Sequence, residues 1–192
     1  MQRVNIQEFV TNLSAYKNAE GVVTVWGVYD QDTVTYGRDD CNEEYCEEHG
    51  IPYYKNREDG GCIVNFAGTI NIADFRPSRD GWVYSEFLTD FAEYLKEKGL
   101  NAEYDGNDIL IDGYKVTSGF GYNLPPNYDR MFNAIGFFFN QDIELIRNIC
   151  LKPMVKEPKG LEEYGITTEE CAEWAEQWFD AFDKKGVQNV RK

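Results

Sequence analysis

A chain of 192 residues with a formal net charge of −15 has the length of one domain with a real core, and its acidity disfavours nucleic acid and anionic membrane surfaces as partners. Its 13 Tyr and 12 Phe exclude a disordered chain and suit a well-packed sheet protein. Five cysteines, a polar start (MQRVNIQEFVTNL) and the lack of any apolar run of membrane-spanning length predict free thiols in a reducing compartment, the cytoplasm.

In chain order, Asn5 to Tyr16 reads as a helix. Ile6, Phe9, Val10 and Leu13 share a face, and Asn5 with Glu8 has the form of a capping box. Residues 1–20 are read as an N-terminal helix ahead of the main domain. Val22 to Tyr29 and Thr33 to Tyr36 are β-branched and aromatic runs on either side of Asp30-Gln31-Asp32, which predicts a hairpin. Asn42 to His49 predicts a short acidic helix stopped by Gly50. Strands are expected at Ile51 to Lys55, Cys62 to Val64 and Thr69 to Phe75, with a turn-rich loop over Asn56 to Gly61. Ser85 to Lys98 carries Phe87, Leu88, Phe91, Tyr94 and Leu95 at helical spacing, with Ser85 to cap it and Gly99 to end it.

Leu100 to Phe120 is the stretch around which the rest is organised. Two short apolar runs meet at Asp112-Gly113, a strong two-residue hairpin signal because both turn positions need positive φ. The hairpin holds Lys115 in a fixed place, beside Thr117-Ser118-Gly119, which is expected as a small-residue loop open to a ligand. A strand lysine on its own is ordinarily a solvated residue. Phe132 to Asn140 lacks alternation and predicts a strand buried on both faces. Asp142 to Cys150 predicts a short helix, and Lys152 to Gly160 (KPMVKEPKG) is a basic patch in an acidic chain. Thr167 caps a last helix whose Cys171, Trp174, Ala175, Trp178, Phe179 and Phe182 form an apolar stripe. Residues 167–192 are therefore read as a helix packed on a domain spanning 21–166. The layout is α+β, a mixed, largely antiparallel sheet with packed helices.

Four segments then carry a family resemblance. They are Trp26 with Thr33 to Arg38 (TVTYGR), Glu44 to Pro52 (EYCEEHGIP), Asp59 to Asn71 (DGGCIVNFAGTIN) and Asp105 to Val116 (DGNDILIDGYKV). In their order and spacing from Val25 to about Ile166 they resemble the lipoate–protein ligase A and biotin/lipoate attachment family. The resemblance implies that lipoate or octanoate is activated with ATP and Mg2+ as an acyl-adenylate, then transferred to a lysine on an acceptor protein domain. It implies Lys115 as the catalytic cation. It implies Gly60, Gly61, Cys62, Asn65, Asn71, Asn107, Asp108, Lys156 and Lys159 as ligand contacts, with Asp108 the residue for Mg2+. An ammonium at Lys115 suits negative charge on phosphate and acyl oxygen, and backbone amides at Gly60-Gly61 suit an anion. An acyl slot is expected among Val64, Ile70, Ile72 and Phe137 to Phe139.

The chain departs from the family pattern at several places. Lys55-Asn56 stand where paired arginines are usual, Asp59 replaces a glycine, and Asn65-Phe66 replace His-Asp. Two other readings stay open. Asn140 to Cys150 resembles the segment of ATP-independent octanoyltransferases that carries a nucleophilic cysteine, so Cys150 with Lys115 beside it to lower its pKa forms a candidate pair. The other is a ligase fold that binds a partner or small acid without turnover. Cys41, Cys46, His49 and Cys62 also offer four zinc-type donors at loose spacing, although Cys46 falls on the apolar side of its helix.

Overall fold

A computed structural model describes residues 2–11, 21, 23–55, 61–77, 84–106, 108–124 and 130–189. Its largest sheet has five strands in the order β1-β2-β6-β11-β10. These are β1 (Gln2–Arg3), β2 (Val23–Val28), β6 (Ile70–Pro77), β10 (Thr117–Leu124) and β11 (Arg130–Phe137). All pairs in this sheet are antiparallel except β1 with β2. Alternation along the central strands sends Ile70, Ile72, Ile135 and Phe137 to one face, and Ala73, Phe75, Phe132 and Ala134 to the other. Both faces are covered, which is why the run around Phe132 to Phe138 shows no polar alternation and is buried throughout.

Helices α3 (Tyr84–Glu97) and α5 (Thr168–Asn189) cover the first face. Trp178 is its centre, with ring centroids 4.8 Å from Phe87 and 4.6 Å from Phe91 and its indole N–H donated to Asp90 at 2.9 Å. The capping box at Thr167 is present: the Glu170 amide donates to the threonine hydroxyl at 3.1 Å, and Glu170 accepts from the Thr167 amide at 2.9 Å. The second face is covered by α1 (Ile6–Thr11) through Ile6 and Phe9, with Asn5 accepting from the Glu8 amide at 3.1 Å. The expected end of this helix at Tyr16 lies outside the described residues.

A three-stranded sheet, β4-β3-β5, comprises β3 (Thr33–Tyr36), β4 (Tyr53–Lys55) and β5 (Ile63–Asn65). With α2 (Glu43–His49) and α4 (Ile143–Ile149) it encloses a separate apolar cluster that includes Cys41, Cys46, Cys62 and Cys150. Asn42 caps α2 through the Tyr45 amide, and Gly50 ends it at φ 65°. Another three-stranded sheet runs β7-β8-β9, from β7 (Ala102–Asp105), β8 (Asp108–Ile111) and β9 (Tyr114–Lys115).

Two expectations are corrected. The runs at 22–29 and 33–36 do not form a hairpin, because β2 pairs with β1 and β6 while β3 belongs to the other sheet. Among the described residues, Asp112 is the one non-glycine with positive φ, so Asp30-Gln31-Asp32 lacks the geometry of a tight hairpin. Instead, the Asp32 carboxylate accepts from the Ala67 amide at 2.9 Å and carries the chain across between sheets. Thr117-Ser118-Gly119 is strand and not loop, with Thr117 opposite Phe137 and Gly119 opposite Ile135. Its start is fixed by the Ile109 amide, which donates to the Thr117 hydroxyl at 2.9 Å. No helix among the described residues is long and apolar enough to cross a membrane.

Candidate functional site

The Asp112-Gly113 hairpin forms as its sequence predicts. Asp112 has φ 51° and Gly113 φ 84°, Ile111 faces Tyr114, and Leu110 faces Lys115. A second layer of support comes from the basic patch. The Lys115 amide donates to the Glu157 carbonyl and the Lys159 amide to the Lys115 carbonyl, both at 2.9 Å, so residues 156–159 lie as a strap along β9. This strap passes close to the main sheet at Gly160. A Cβ there would stand 2.2 Å from the Phe139 carbonyl oxygen and 2.7 Å from the Asn140 Cα. Gly160→Ala is therefore expected to push the strap off its seat, at a cost of about 1–3 kcal/mol. A melting curve measures the loss, and ligand titration measures the accompanying misplacement of Lys115.

Between this hairpin, the strap, β5 and α4 lies a cavity of about 470 Å³. One wall is charged. Lys115 Nζ stands 2.8 Å from Asp108 Oδ1, and Lys156 Nζ stands 3.0 Å from Asp108 Oδ2. Lys156 also reaches the Asp105 carbonyl oxygen at 2.6 Å and its carboxylate at 3.0 Å. Burial works against the Lys156 charge, but the hydrogen bonds to Asp105 and Asp108 outweigh it and hold the pKa above the ordinary lysine value. Elsewhere the lining is largely apolar and thiol-bearing, with Val64, Ile146, Met154, Cys62 and Cys150, beside Asp40 and Lys152.

There the two cysteines act on each other. The Cys62 thiol hydrogen-bonds the Cys150 sulfur and so lowers the Cys150 pKa against the effects of burial and of Asp40, while Cys62 itself is pushed far up. The lowering at Cys150 thus comes from Cys62 and not from Lys115. When protonated, Cys150 Sγ donates to the Cys62 carbonyl oxygen at 3.6 Å. Iodoacetamide is expected to label Cys150 before Cys62, with a rate that levels off at a lower pH than for an ordinary thiol. Cys171, pushed up to about 12 by burial, is expected to stay unlabelled until the chain unfolds; peptide mass mapping across a pH series checks all three.

The structure brings together Lys115, Asp108, Lys156, Gly61, Cys62 and Cys150 on the cavity. Lys159 is turned elsewhere, its ammonium 4.6 Å from the Tyr164 ring centroid, 5.2 Å from that of Tyr114 and 3.7 Å from Glu163. Asn65 is buried against Thr33 and Thr35, and Asn71 lies within the main sheet, opposite Gly27 and Gly136. Gly60 and Asn107 lie outside the described residues. The expected acyl slot is corrected in part. Val64 and Phe138 line the cavity, but Ile70, Ile72 and Phe137 are core residues of the main sheet, and Phe139 packs on Gly68. Ile146 and Met154 take their place.

Sequence reasoning misses Asp40. Its side chain is 3% exposed, with Oδ2 3.4 Å from Lys152 and Oδ1 without a hydrogen-bond partner among the described residues. Nothing in the Asp39-Asp40 pair distinguishes it from a solvated acidic turn. The zinc reading is also corrected. No group of three or more His, Cys, Asp or Glu among the described residues is placed to hold a metal ion. His49 is exposed at the end of α2, stacked on Tyr45 at 3.9 Å, whereas Cys46 is buried. Its ring Nδ1 lies 2.9 Å from the Tyr45 carbonyl oxygen. For Mg2+, Asp108 is a single carboxylate already shared by two ammonium groups, a donor set that fits the ion only when phosphate oxygens supply most of its ligands.

Together these features define a mixed α+β domain with a ligand-sized cavity between its sheets, charged on one wall and largely apolar elsewhere. The sequence profile of the Lipoyl protein ligase A/B catalytic domain matches residues 2–179, and the chain belongs to that family. A lipoate–protein ligase of Streptococcus pyogenes serotype M5 (strain Manfredo) is 30% identical over 129 residues, which is 64% of this chain and 36% of that protein. The chain thus spans little more than a third of this curated relative. Its fold is that of solved lipoate ligases. P. falciparum LipL1, in complex with lipoate, matches with a TM-score of 0.74 at 15% identity over 97% of this chain and 59% of that one. A lipoate-protein ligase A bound with ATP matches with a TM-score of 0.73 at 14% identity over 94% and 81%.

Proposed function

We propose that the protein activates lipoate or octanoate as an acyl-adenylate and passes the acyl group to a lysine of an acceptor protein domain, in the cytoplasm. The observation that carries this reading is the pair of ammonium groups, Lys115 and Lys156, held on Asp108 at the cavity wall. The acid's carboxylate oxygen attacks the α-phosphorus of ATP, a P–O bond forms, and pyrophosphate departs. Charge builds on the phosphoryl oxygens, where the Lys115 ammonium is already oriented by its hairpin and strap. An acceptor amine then attacks the acyl carbon and AMP leaves with the bonding pair. Asp108 keeps both lysines positioned until phosphate takes over as their counterion. It is also the residue that would hold Mg2+ arriving on the nucleotide, an ion that offsets phosphate charge. The likeness to relatives solved with lipoate and with ATP supports this assignment of substrates.

Calorimetry with a non-hydrolysable lipoyl-adenylate analogue tests the proposal. Tight binding by the wild-type chain is expected; an absence of binding would sink it. One observation favours a second reading. Cys150, with its lowered pKa, shares the cavity with Lys115, which suits an ATP-independent octanoyltransferase forming a Cys150 thioester. Incubation with an octanoyl-carrier protein would then leave an octanoyl group on Cys150 without ATP.

A further inference from the structure

The cavity lining away from Lys115 carries a matched pair of thiols that adenylate chemistry does not use. Cys62 leads into β5 after the glycine-rich loop, and Cys150 ends α4. They are far apart in sequence, yet Cys150 Sγ lies 3.6 Å from the Cys62 carbonyl oxygen, and both residues line the same cavity. Neither is in a disulfide. Around them Val64, Ile146 and Met154 are apolar, while the lysines stand on the wall built by the β8–β9 hairpin and the strap. A medium-chain acid with its carboxylate at Lys115 would direct its far end toward the thiols. Between lipoate and octanoate, only lipoate carries a disulfide at that end, in a five-membered ring that forces the C–S–S–C dihedral far from its relaxed value and makes the bond easy to open.

From this geometry we infer that Cys62 and Cys150 form a thiol–disulfide exchange site for the dithiolane ring of bound lipoate, which makes lipoate, and not octanoate, the acid for which this cavity is built. The inference rests on the proposed reading of the chain as a lipoate-activating protein. The Cys150 thiolate attacks one ring sulfur. A Cys150–ligand S–S bond forms, the ring S–S bond breaks, and the second ring sulfur leaves as a thiolate that takes up a proton. With Cys150 now in a mixed disulfide, its main hold on the Cys62 proton is gone; the Cys62 thiol attacks the Cys150 sulfur and loses its proton to solvent as it does so. This releases the reduced dithiol acid, after protonation of its departing sulfur, and closes a Cys62–Cys150 disulfide. Two thiols are oxidised and one disulfide is reduced, so no outside oxidant is required. Of the two thiols, Cys150 is the one whose pKa is held below the ordinary thiol value, which makes it the first attacker, and confinement beside the ring favours attack over exchange in bulk solution.

The test uses the full chain, reduced and then freed of reductant, incubated with lipoate or with octanoate while calorimetry follows binding of each acid. Cys41 neighbours both thiols, so the trap is made in the Cys41→Ser/Cys62→Ser double variant, where no adjacent thiol resolves the first step. After an alkylating quench that caps the released ring thiol, intact mass is expected to show one lipoate adduct, mapped to Cys150. Cys41→Ser/Cys62→Ala should give the same trap, and Cys150→Ser should give no adduct. The adduct should form faster in the native chain than in the same chain unfolded in urea. If lipoate binds but both double variants stay unmodified, or if the unfolded chain reacts as fast, the exchange site is overturned and the ligase reading stands. If neither acid nor the adenylate analogue binds, both fall together.

Discussion

Replacing Lys115 with alanine is expected to slow acyl-adenylate formation by roughly 10²–10³-fold, the range lost when one preorganised donor to a developing charge is removed. The lysine is pinned through its backbone, by the positive-φ turn on one side and the strap on the other. Its side chain is 27% exposed and its ion pair with Asp108 is only partly buried. The fold therefore has little to lose, and stability should change by about 1 kcal/mol or less, especially as Lys156 still neutralises Asp108 in the variant. Lipoate-dependent exchange of pyrophosphate into ATP reads the effect. An intact melting curve together with collapsed exchange identifies Lys115 as the charge-stabilising group. Unchanged exchange would move that role to Lys156. Lys115→Arg is expected to recover little, since the larger guanidinium cannot keep the 2.8 Å approach to Asp108 Oδ1 from the same backbone position.

What makes Lys115 legible in the sequence is that its position is decided locally. Asp112-Gly113 sets the turn, and β8 and β9 follow from it. The β7–β8 hairpin, with Asp105 facing Asp108 and Gly106 at φ 70°, is not marked in the sequence reading, because Asp105 is a strand residue there and not a turn position. Helices with apolar stripes, α3 and α5, are local matters too, although α3 begins at Tyr84, so Ser85 lies inside the helix and is not its cap. The elements that depart from expectation are decided by partners far along the chain. Whether Thr33 to Tyr36 pairs with β2 or with β5 depends on Asp32 reaching Ala67. Whether Thr117 to Gly119 is loop or strand depends on β11 lying beside it. The strap has no strand pattern, with Pro153 just ahead of it and Pro158 inside it, yet it pairs with β9 through Lys115. The cavity itself joins β5, α4 and β9 from separate layers, so the meeting of Cys62 with Cys150, and the place of Asp40 on the same cavity, have no local sequence signature.

Trp178→Ala is expected to be the most damaging single change to stability, at about 3–5 kcal/mol for loss of a large buried aromatic. Trp178 is fully buried and stands where α5 meets α3. It meets Phe87 and Phe91 of α3 edge-on at 4.8 and 4.6 Å, and Phe182 of its own helix at 5.5 Å. Its indole N–H is donated to Asp90, so truncation also removes a donor from that carboxylate. In a chain of this size the loss lowers Tm by roughly 10 °C. The consequence reaches the site by a definite path. Helix α3 packs on β7 and β8 through Phe91, Leu95, Ala102 and Ile109, and β8 carries Asp108, the common counterion of Lys115 and Lys156. Trp178→Phe keeps the aromatic packing and should recover most of the loss. A melt of Trp178→Ala within a few degrees of wild type would mean that α5 is an appendage of the domain and not part of its core.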